Sequence, residues 1–141
     1  MDATDRVRPL LAALTVVAGV ATAGSLYFSE VLGLVPCELC WYQRIFMYPL
    51  VVVLGVAALD GRASAYRTAL PLSLGGVAVS AYHTYIQLTP GATCTVDGAC
   101  TTILWQGFGV FTIPRLALVA FSLISVGLVG LALVERGIVG R

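Results

Sequence analysis

Charged side chains are scarce in this sequence, and lysine is absent. Of its 141 residues, 11% are charged and 59% are hydrophobic, whereas a soluble domain averages about 25% charged residues. A soluble core is therefore excluded as the main explanation of the chain. The sequence also lacks a glycine-rich nucleotide-binding motif, an acidic metal cluster, a catalytic serine arrangement and an internal repeat. No nucleic-acid partner is expected, and the chemistry must depend on a few polar groups.

Four long stretches of the sequence carry no charge: Pro9 to Ser29, Ile45 to Leu59, Thr68 to Val96 and Leu116 to Val134. A helix needs about 20 apolar residues to cross a bilayer. We therefore predict an all-α membrane protein, a bundle of four transmembrane helices with an extracytoplasmic loop between the third and the fourth. The single domain covers residues 1–141, with helices near residues 10–30, 38–59, 69–88 and 113–134.

The first apolar stretch has some features of a cleaved signal peptide. Arg6 and Arg8 precede it, and Ala21-Thr22-Ala23 resembles a cleavage site. Cleavage there would leave three spans. Because the segment stays apolar beyond that point, we expect a transmembrane helix instead.

Arginines predict the orientation, since positively charged residues beside membrane spans are retained in the cytoplasm. With four spans, one side of the membrane receives Arg6, Arg8, Arg62, Arg67, Arg136 and Arg141. The other side receives only Arg44 and Arg115. We therefore predict a multi-pass plasma-membrane protein with both termini in the cytoplasm.

The four cysteines are predicted to face one compartment. Cys37 and Cys40 lie between the first two helices, and Cys94 and Cys100 lie between the last two. Because two crossings separate the pairs, all four thiols meet the same side whatever the orientation. The arginines make that side the oxidising exterior, where disulfides form.

Cys37 and Cys40 form a C-x-x-C motif at a predicted helix start, after Pro36, which suits a first helical turn. Cys37, Cys40 and Arg44 then share one helix face. The helix amino end and the guanidinium both favour a thiolate. Since an unperturbed thiol is only about 3% ionised at pH 7, this setting predicts a reactive pair.

Cys94 and Cys100 enclose the turn-forming Asp97-Gly98 and look like a short, exposed disulfide loop. Closing so small a loop stabilises a fold by only about 2–2.5 kcal/mol, and another thiol can reach an exposed bridge. A structural staple and a four-cysteine zinc site are the alternatives. The outward C-x-x-C favours exchange over a staple. The wide second spacing and the oxidising side argue against zinc, so no metal is expected.

Three polar side chains are predicted inside the membrane near its outer surface. Arg44 lies about one turn into the second helix, where an unpaired charge is costly, so a functional role is favoured over snorkelling to the headgroups. Pro49 is expected to kink this helix and open room beside Arg44. His83 and Gln87, spaced i, i+4 on the third helix, are predicted to line one pocket with Arg44. Such a pocket suits a quinone head group, although a packed His83 bonded to a neighbouring helix is equally compatible.

Three glycines in the predicted third and fourth helices are expected to have a packing role. Gly75, Gly76 and Gly127 are expected to permit close helix packing.

The segment Cys37-Glu-Leu-Cys-Trp-Tyr-Gln-Arg44-Ile-Phe-Met-Tyr-Pro49 resembles the signature of the disulfide bond formation protein B (DsbB) family, and especially its compact BdbC-like branch. Tyr82-His83-Thr-Tyr-Ile-Gln87 and Thr112-Ile-Pro-Arg-Leu-Ala-Leu118 support the resemblance. These motifs lie in the last three predicted helices, and the expected topology matches over all four.

The resemblance implies an enzyme, a membrane thiol:quinone oxidoreductase that supports protein disulfide bond formation. Such an enzyme reoxidises an extracytoplasmic thioredoxin-fold dithiol protein and passes the electrons to a membrane quinone of the ubiquinone or menaquinone type. The implied disulfides are Cys37–Cys40 and Cys94–Cys100.

The resemblance also implies individual roles for these residues. Cys94 would form the mixed disulfide with the partner, Cys100 would exchange with Cys37, and Cys40 would face the quinone. Arg44 would stabilise the Cys40 thiolate and the developing quinone anion. His83 would contact the quinone, and Gln87 is a further candidate contact. Only five residues separate the loop cysteines here, fewer than in enterobacterial members, so partner docking is expected to differ.

Two other functions compete with this one. A vitamin K epoxide reductase-like protein shares four helices and quinone chemistry, but its loop cysteines precede the C-x-x-C motif, whereas here they follow it. A small channel or assembly subunit would have structural disulfides, with Arg44 and His83 lining a polar path.

The Cys100→Ser variant is expected to trap a mixed disulfide between Cys94 and the thioredoxin-fold partner, because the thiol that would resolve this bond is missing. A non-reducing gel of the variant incubated with the oxidised partner measures the trapped complex. If neither Cys94→Ser nor Cys100→Ser traps the partner, the loop pair is only a structural staple.

Overall fold

A computed structural model describes residues 3–33, 38–88, 106–107 and 111–139, and the structural statements below concern those residues. Its four long helices are α1 (Ala3–Leu26), α2 (Glu38–Asp60), α3 (Tyr66–Leu88) and α4 (Ile113–Val139). One π-helical segment, Tyr27–Val31, continues α1, and a short 3₁₀ turn, Ala63–Ala65, precedes α3. The all-helical class is confirmed.

Two short strands add a feature that the sequence analysis did not predict. β1 (Gln106–Gly107) pairs antiparallel with β2 (Phe111–Thr112), so that Gln106 is opposite Thr112. This pairing brings the chain directly to the start of α4. Pro114 then lies in the first turn of α4, where a missing backbone N–H costs little.

The helix ends differ from the predicted ends mainly at the charged termini. α2 matches the predicted range to within one residue, whereas α1 begins at Ala3 and α4 continues to Val139. Hydropathy marks where a helix leaves apolar surroundings, but the backbone ladder can continue through charged residues. Arg6 and Arg8 therefore lie on the first turns of α1.

Within the described part of the chain, three segments are long and apolar enough to cross a membrane: Asp5–Val31, Leu39–Asp60 and Pro114–Gly137. α3 is equally long at 23 residues. Its sequence includes hydroxyl, imidazole and amide side chains, and several of its polar residues face the interior of the bundle. The four-span topology and the outward loop therefore stay predictions.

The helices form a ring in which α1 and α3 each pack against both α2 and α4. The core between them is apolar and runs along the bundle. Its fully buried side chains include Leu11, Leu50, Leu54, Phe121, Ile124 and Leu128. α2 continues as a helix through Pro49.

Glycines permit the close approach of helices, as predicted. A Cβ atom at Gly76 would overlap the ring of Phe121 on α4, and one at Gly75 would lie 2.6 Å from Cε1 of Phe46 on α2. Gly127 is likewise covered by Leu14 of α1. Beside Gly76, the hydroxyls of Ser73 and Ser125 lie 2.9 Å apart and join α3 to α4.

We expect Gly76→Ala to destabilise the protein by about 1–3 kcal/mol, because the new methyl group overlaps the buried Phe121 ring, which must shift from its packed position. Thermal unfolding in detergent measures the change. Gly130→Ala is the matched control, since a Cβ at Gly130 meets nothing within 4 Å. Equal unfolding temperatures for Gly76→Ala and Gly130→Ala would contradict the close packing of α3 on α4.

Candidate active site

One face of α2 lines a cavity. Cys40, Gln43, Arg44, Met47 and Tyr48 all contribute to its wall, at the i, i+3, i+4, i+7 and i+8 spacing of a single helix face. The prediction that Cys40 and Arg44 share a face is confirmed. The cavity lies beside Arg44, where room was predicted, and the kink at Pro49 stays a prediction.

The cavity has a volume of about 480 Å³ and lies between α1, α2 and α4. One end of the cavity is lined by Ser25, Ser29, Gln43 and Arg44, which come from the last turn of α1, the π-helical segment after it and the first turns of α2. Most of the remaining wall is apolar. At its rim, Val20 of α1 and Leu123 of α4 are 67% and 54% exposed, which indicates an opening between these two helices.

Arg44 is held by α1. Its Nε donates a hydrogen bond to Oγ of Ser25 at 3.0 Å, and its Nη2 donates to the Ser25 carbonyl oxygen at 3.1 Å. The guanidinium carbon also lies 5.1 Å from the centre of the Trp41 ring, within the range of a cation–π interaction. The charge therefore has definite partners within the bundle.

His83 is buried against α2 rather than in the cavity wall. It is 2% exposed, and its Nδ1 lies 3.1 Å from Nε2 of Gln43, which is 6% exposed. An amide nitrogen only donates, so Nδ1 of His83 accepts this bond. The structure therefore agrees with the second interpretation of His83, that of a packed histidine bonded to a neighbouring helix.

The predicted common pocket of three polar residues is only partly formed. Arg44 lines the cavity, but neither His83 nor Gln87 is among the described residues of its wall. The reason is the direction of each side chain on α2. Gln43 turns toward α3 and meets His83, whereas the next residue, Arg44, turns toward α1. Gln43 therefore lies between His83 and the cavity.

Two residues that bond to predicted site residues were missed by the sequence analysis. Gln43 had a usable signal, since it is a polar residue three positions after Cys40 in an apolar helix. Ser25 had none, because small hydroxyl residues recur along α1 and only tertiary packing shows which one meets Arg44.

The cysteines are described only in part. Cys40 lies in the first turn of α2, half-buried, and lines the cavity. Cys37, Cys94 and Cys100 lie outside the described residues, as does Pro36. Both disulfide pairings therefore remain predictions.

A family model described as disulfide bond formation protein DsbB matches residues 6–134. The chain belongs to this family. The resemblance of its C-x-x-C segment to the DsbB signature is thus confirmed, and with it an oxidoreductase role in disulfide formation at a membrane.

Named relatives match over most of the chain. It is 45% identical over 115 residues to disulfide bond formation protein C of Bacillus subtilis (strain 168), covering 79% of this chain and 83% of that protein. It is 44% identical over 128 residues to a probable disulfide formation protein of Oceanobacillus iheyensis, covering 87% and 88%. A probable disulfide formation protein of Deinococcus radiodurans is 41% identical over 121 residues, covering 77% and 78%. No solved structure matches the chain.

We expect Gln43→Leu to destabilise this DsbB-family protein by about 1–3 kcal/mol, because the buried Nδ1 of His83 loses its amide donor while the volume is nearly kept. Thermal unfolding in detergent measures the loss. Tyr48→Phe is the control, since the buried Tyr48 hydroxyl has no hydrogen-bond partner among the described residues. That variant is expected to be as stable as the parent or more stable. An unchanged Gln43→Leu protein would show that the Gln43–His83 bond does not stabilise the fold.

Proposed function

We propose that this protein is a membrane thiol:quinone oxidoreductase that reoxidises an extracytoplasmic thioredoxin-fold dithiol protein and thereby supports disulfide bond formation. The observation that carries the proposal is the cavity, which combines Cys40 and Arg44 at a polar end with a long apolar remainder. The acceptor is a membrane quinone of the ubiquinone or menaquinone type, which takes up two electrons and two protons when bound.

The cavity fits a quinone in size and in polarity. Its volume of about 480 Å³ lies within the usual range for small-molecule sites, about 300–1,000 Å³. A ring with two carbonyl oxygens needs donors, and Arg44 and Gln43 supply N–H groups at the polar end. An isoprenoid tail needs an apolar channel, and Val16, Val20 and Val119 line one that opens between α1 and α4.

Cys40 is placed for thiol chemistry at this polar end. It lies in the first turn of α2, where the helix dipole favours a negative sulfur. Arg44 follows one turn later on the same face, and a guanidinium there stabilises the same charge. The amino end of α2 and the Arg44 guanidinium therefore both favour the Cys40 thiolate that disulfide exchange requires.

The electron balance follows from the two cysteine pairs. The partner dithiol loses two electrons and two protons as its disulfide forms, and the pair Cys94 and Cys100 is reduced. Exchange with Cys37 and Cys40 restores the loop disulfide and leaves the C-x-x-C reduced. Reoxidation of that pair delivers the two electrons and two protons to the quinone, so the cycle closes without another oxidant.

In this proposal His83 acts on a bound quinone through Gln43, the cavity-wall residue to which it is hydrogen-bonded. A direct contact by Gln87 stays a prediction from the family resemblance. The orientation with cytoplasmic termini and outward cysteines likewise rests on the arginine distribution.

The test is an assay of the purified protein in detergent with a short-tailed quinone and a reduced thioredoxin-fold protein. We expect one quinol, measured by absorbance, for each disulfide formed in the partner. Cys40→Ser should abolish quinol formation. Arg44→Met should lower kcat/KM for quinone about 10- to 100-fold, since a hydrogen bond to a charged group contributes about 1.5–3 kcal/mol.

Arg62→Met is the matched control for the loss of a positive charge. Arg62 pairs with Asp60 at 3.4 Å on the exposed surface after α2, far along the helix from the cavity. Its kinetic constants should equal those of the parent. Quinol formation that survives Cys40→Ser, or unchanged constants in Arg44→Met, would overturn the proposal.

A further inference from the structure

Arg44 directs two of its N–H groups to a single residue of the neighbouring helix. Nε and Nη2 form one edge of the guanidinium, and this edge meets Ser25 through its hydroxyl and its carbonyl oxygen. Two parallel bonds on one edge fix the plane of the group as well as its position. The other edge of the guanidinium, formed by Nη1 and Nη2, can still donate to another acceptor.

The helix geometry changes just after Ser25. Just beyond it, α1 changes to the π-helical segment Tyr27–Val31, and the N–H of Leu32 bonds to the carbonyl of Tyr27, five residues back. Such a shift changes which carbonyls the helix itself uses, and π-segments often occur at functional sites. The Ser25 carbonyl accepts both from Arg44 and, at 3.3 Å, from the Ser29 hydroxyl.

A restraint on Arg44 matters because the alternative positions of its side chain are favourable. An arginine side chain has about 2 kcal/mol of rotamer entropy, and near a membrane surface it can extend to the headgroups and water. Without a partner in the bundle, the guanidinium would spend part of its time away from the cavity. The two bonds to Ser25 keep the guanidinium at the cavity.

We infer that Ser25 is a positioning residue, which holds the Arg44 guanidinium at the polar end of the cavity with its Nη1–Nη2 end available to the quinone oxygen. This inference rests on the proposed function and assigns to α1 a part in the reaction. Ser25 acts through Arg44, and the hydroxyl is the part of it that a substitution can remove.

Ser25→Ala removes the hydroxyl and leaves the carbonyl, and alanine is the best helix former, so the variant is expected to fold. We expect its KM for a short-tailed quinone to rise about 3- to 10-fold, the equivalent of one hydrogen bond. The KM for the dithiol partner should not change. Ser25→Thr, which keeps the hydroxyl, should restore the parent value. A parent-like quinone KM in Ser25→Ala would overturn the inference.

Thr15→Val is the matched control on the same helix. The Thr15 hydroxyl also bonds to a backbone carbonyl of α1, that of Leu11 at 2.7 Å, but it does not reach Arg44. Its quinone KM should equal that of the parent. An increase as large as that of Ser25→Ala would mean that loss of any such hydroxyl disturbs α1, and would also overturn the inference.

A double-mutant cycle separates positioning from direct contact. In an Arg44→Met background, Ser25→Ala should have no further effect on the quinone KM. If the two effects multiply instead, Ser25 meets the ligand itself and the positioning role is wrong. If Arg44→Met alone leaves kcat/KM for quinone unchanged, the proposed function fails. If Arg44→Met lowers it while Ser25→Ala leaves the quinone KM at the parent value, only the role of Ser25 fails.

Discussion

The arrangement of this bundle depends on how a guanidinium is accommodated in an apolar helix. Arg44 must have partners or water, since an unpaired charge in such surroundings is costly, and Ser25 of α1 supplies them. Turning Arg44 toward α1 sets the rotation of α2 about its own axis. That rotation turns Gln43 toward His83 on α3 and keeps Cys40 on the cavity face. The polar contacts of α2 with both neighbours therefore follow from one orientation.

The sequence predicted the features that lie within a single helix. The range of α2 follows from its uncharged apolar stretch and from Pro36 at its start, and the common face of Cys40 and Arg44 follows from the 3.6-residue repeat. The partners across helices were not predictable in the same way. Ser25 is one of several small hydroxyl residues on α1. The hydrogen bond between Gln43 and His83 depends on how α2 and α3 are rotated about their axes. The longer ends of α1 and α4 were missed because hydropathy does not mark where a helix stops.

α3 shows why hydropathy alone selects three of the four helices. Its polar and small residues, among them Ser73, Gly76 and His83, are buried against the other helices. There, Ser73 bonds to Ser125 of α4 and His83 bonds to Gln43 of α2. The bundle thus provides partners for Ser73 and His83, two of the groups that make α3 unsuited to lipid by itself. A helix of this kind depends on its neighbours more than the other three do.

The opening between α1 and α4 has a kinetic consequence for the proposed reaction. A molecule that enters past Val20 and Leu123 arrives from the hydrocarbon layer, so its encounters with the protein take place in two dimensions. Its effective concentration is then that within the bilayer, and lipid composition and fluidity govern the rate of arrival. In the proposed reaction, the water-soluble dithiol protein would approach from outside that layer, so the two reactants would not compete for one entrance.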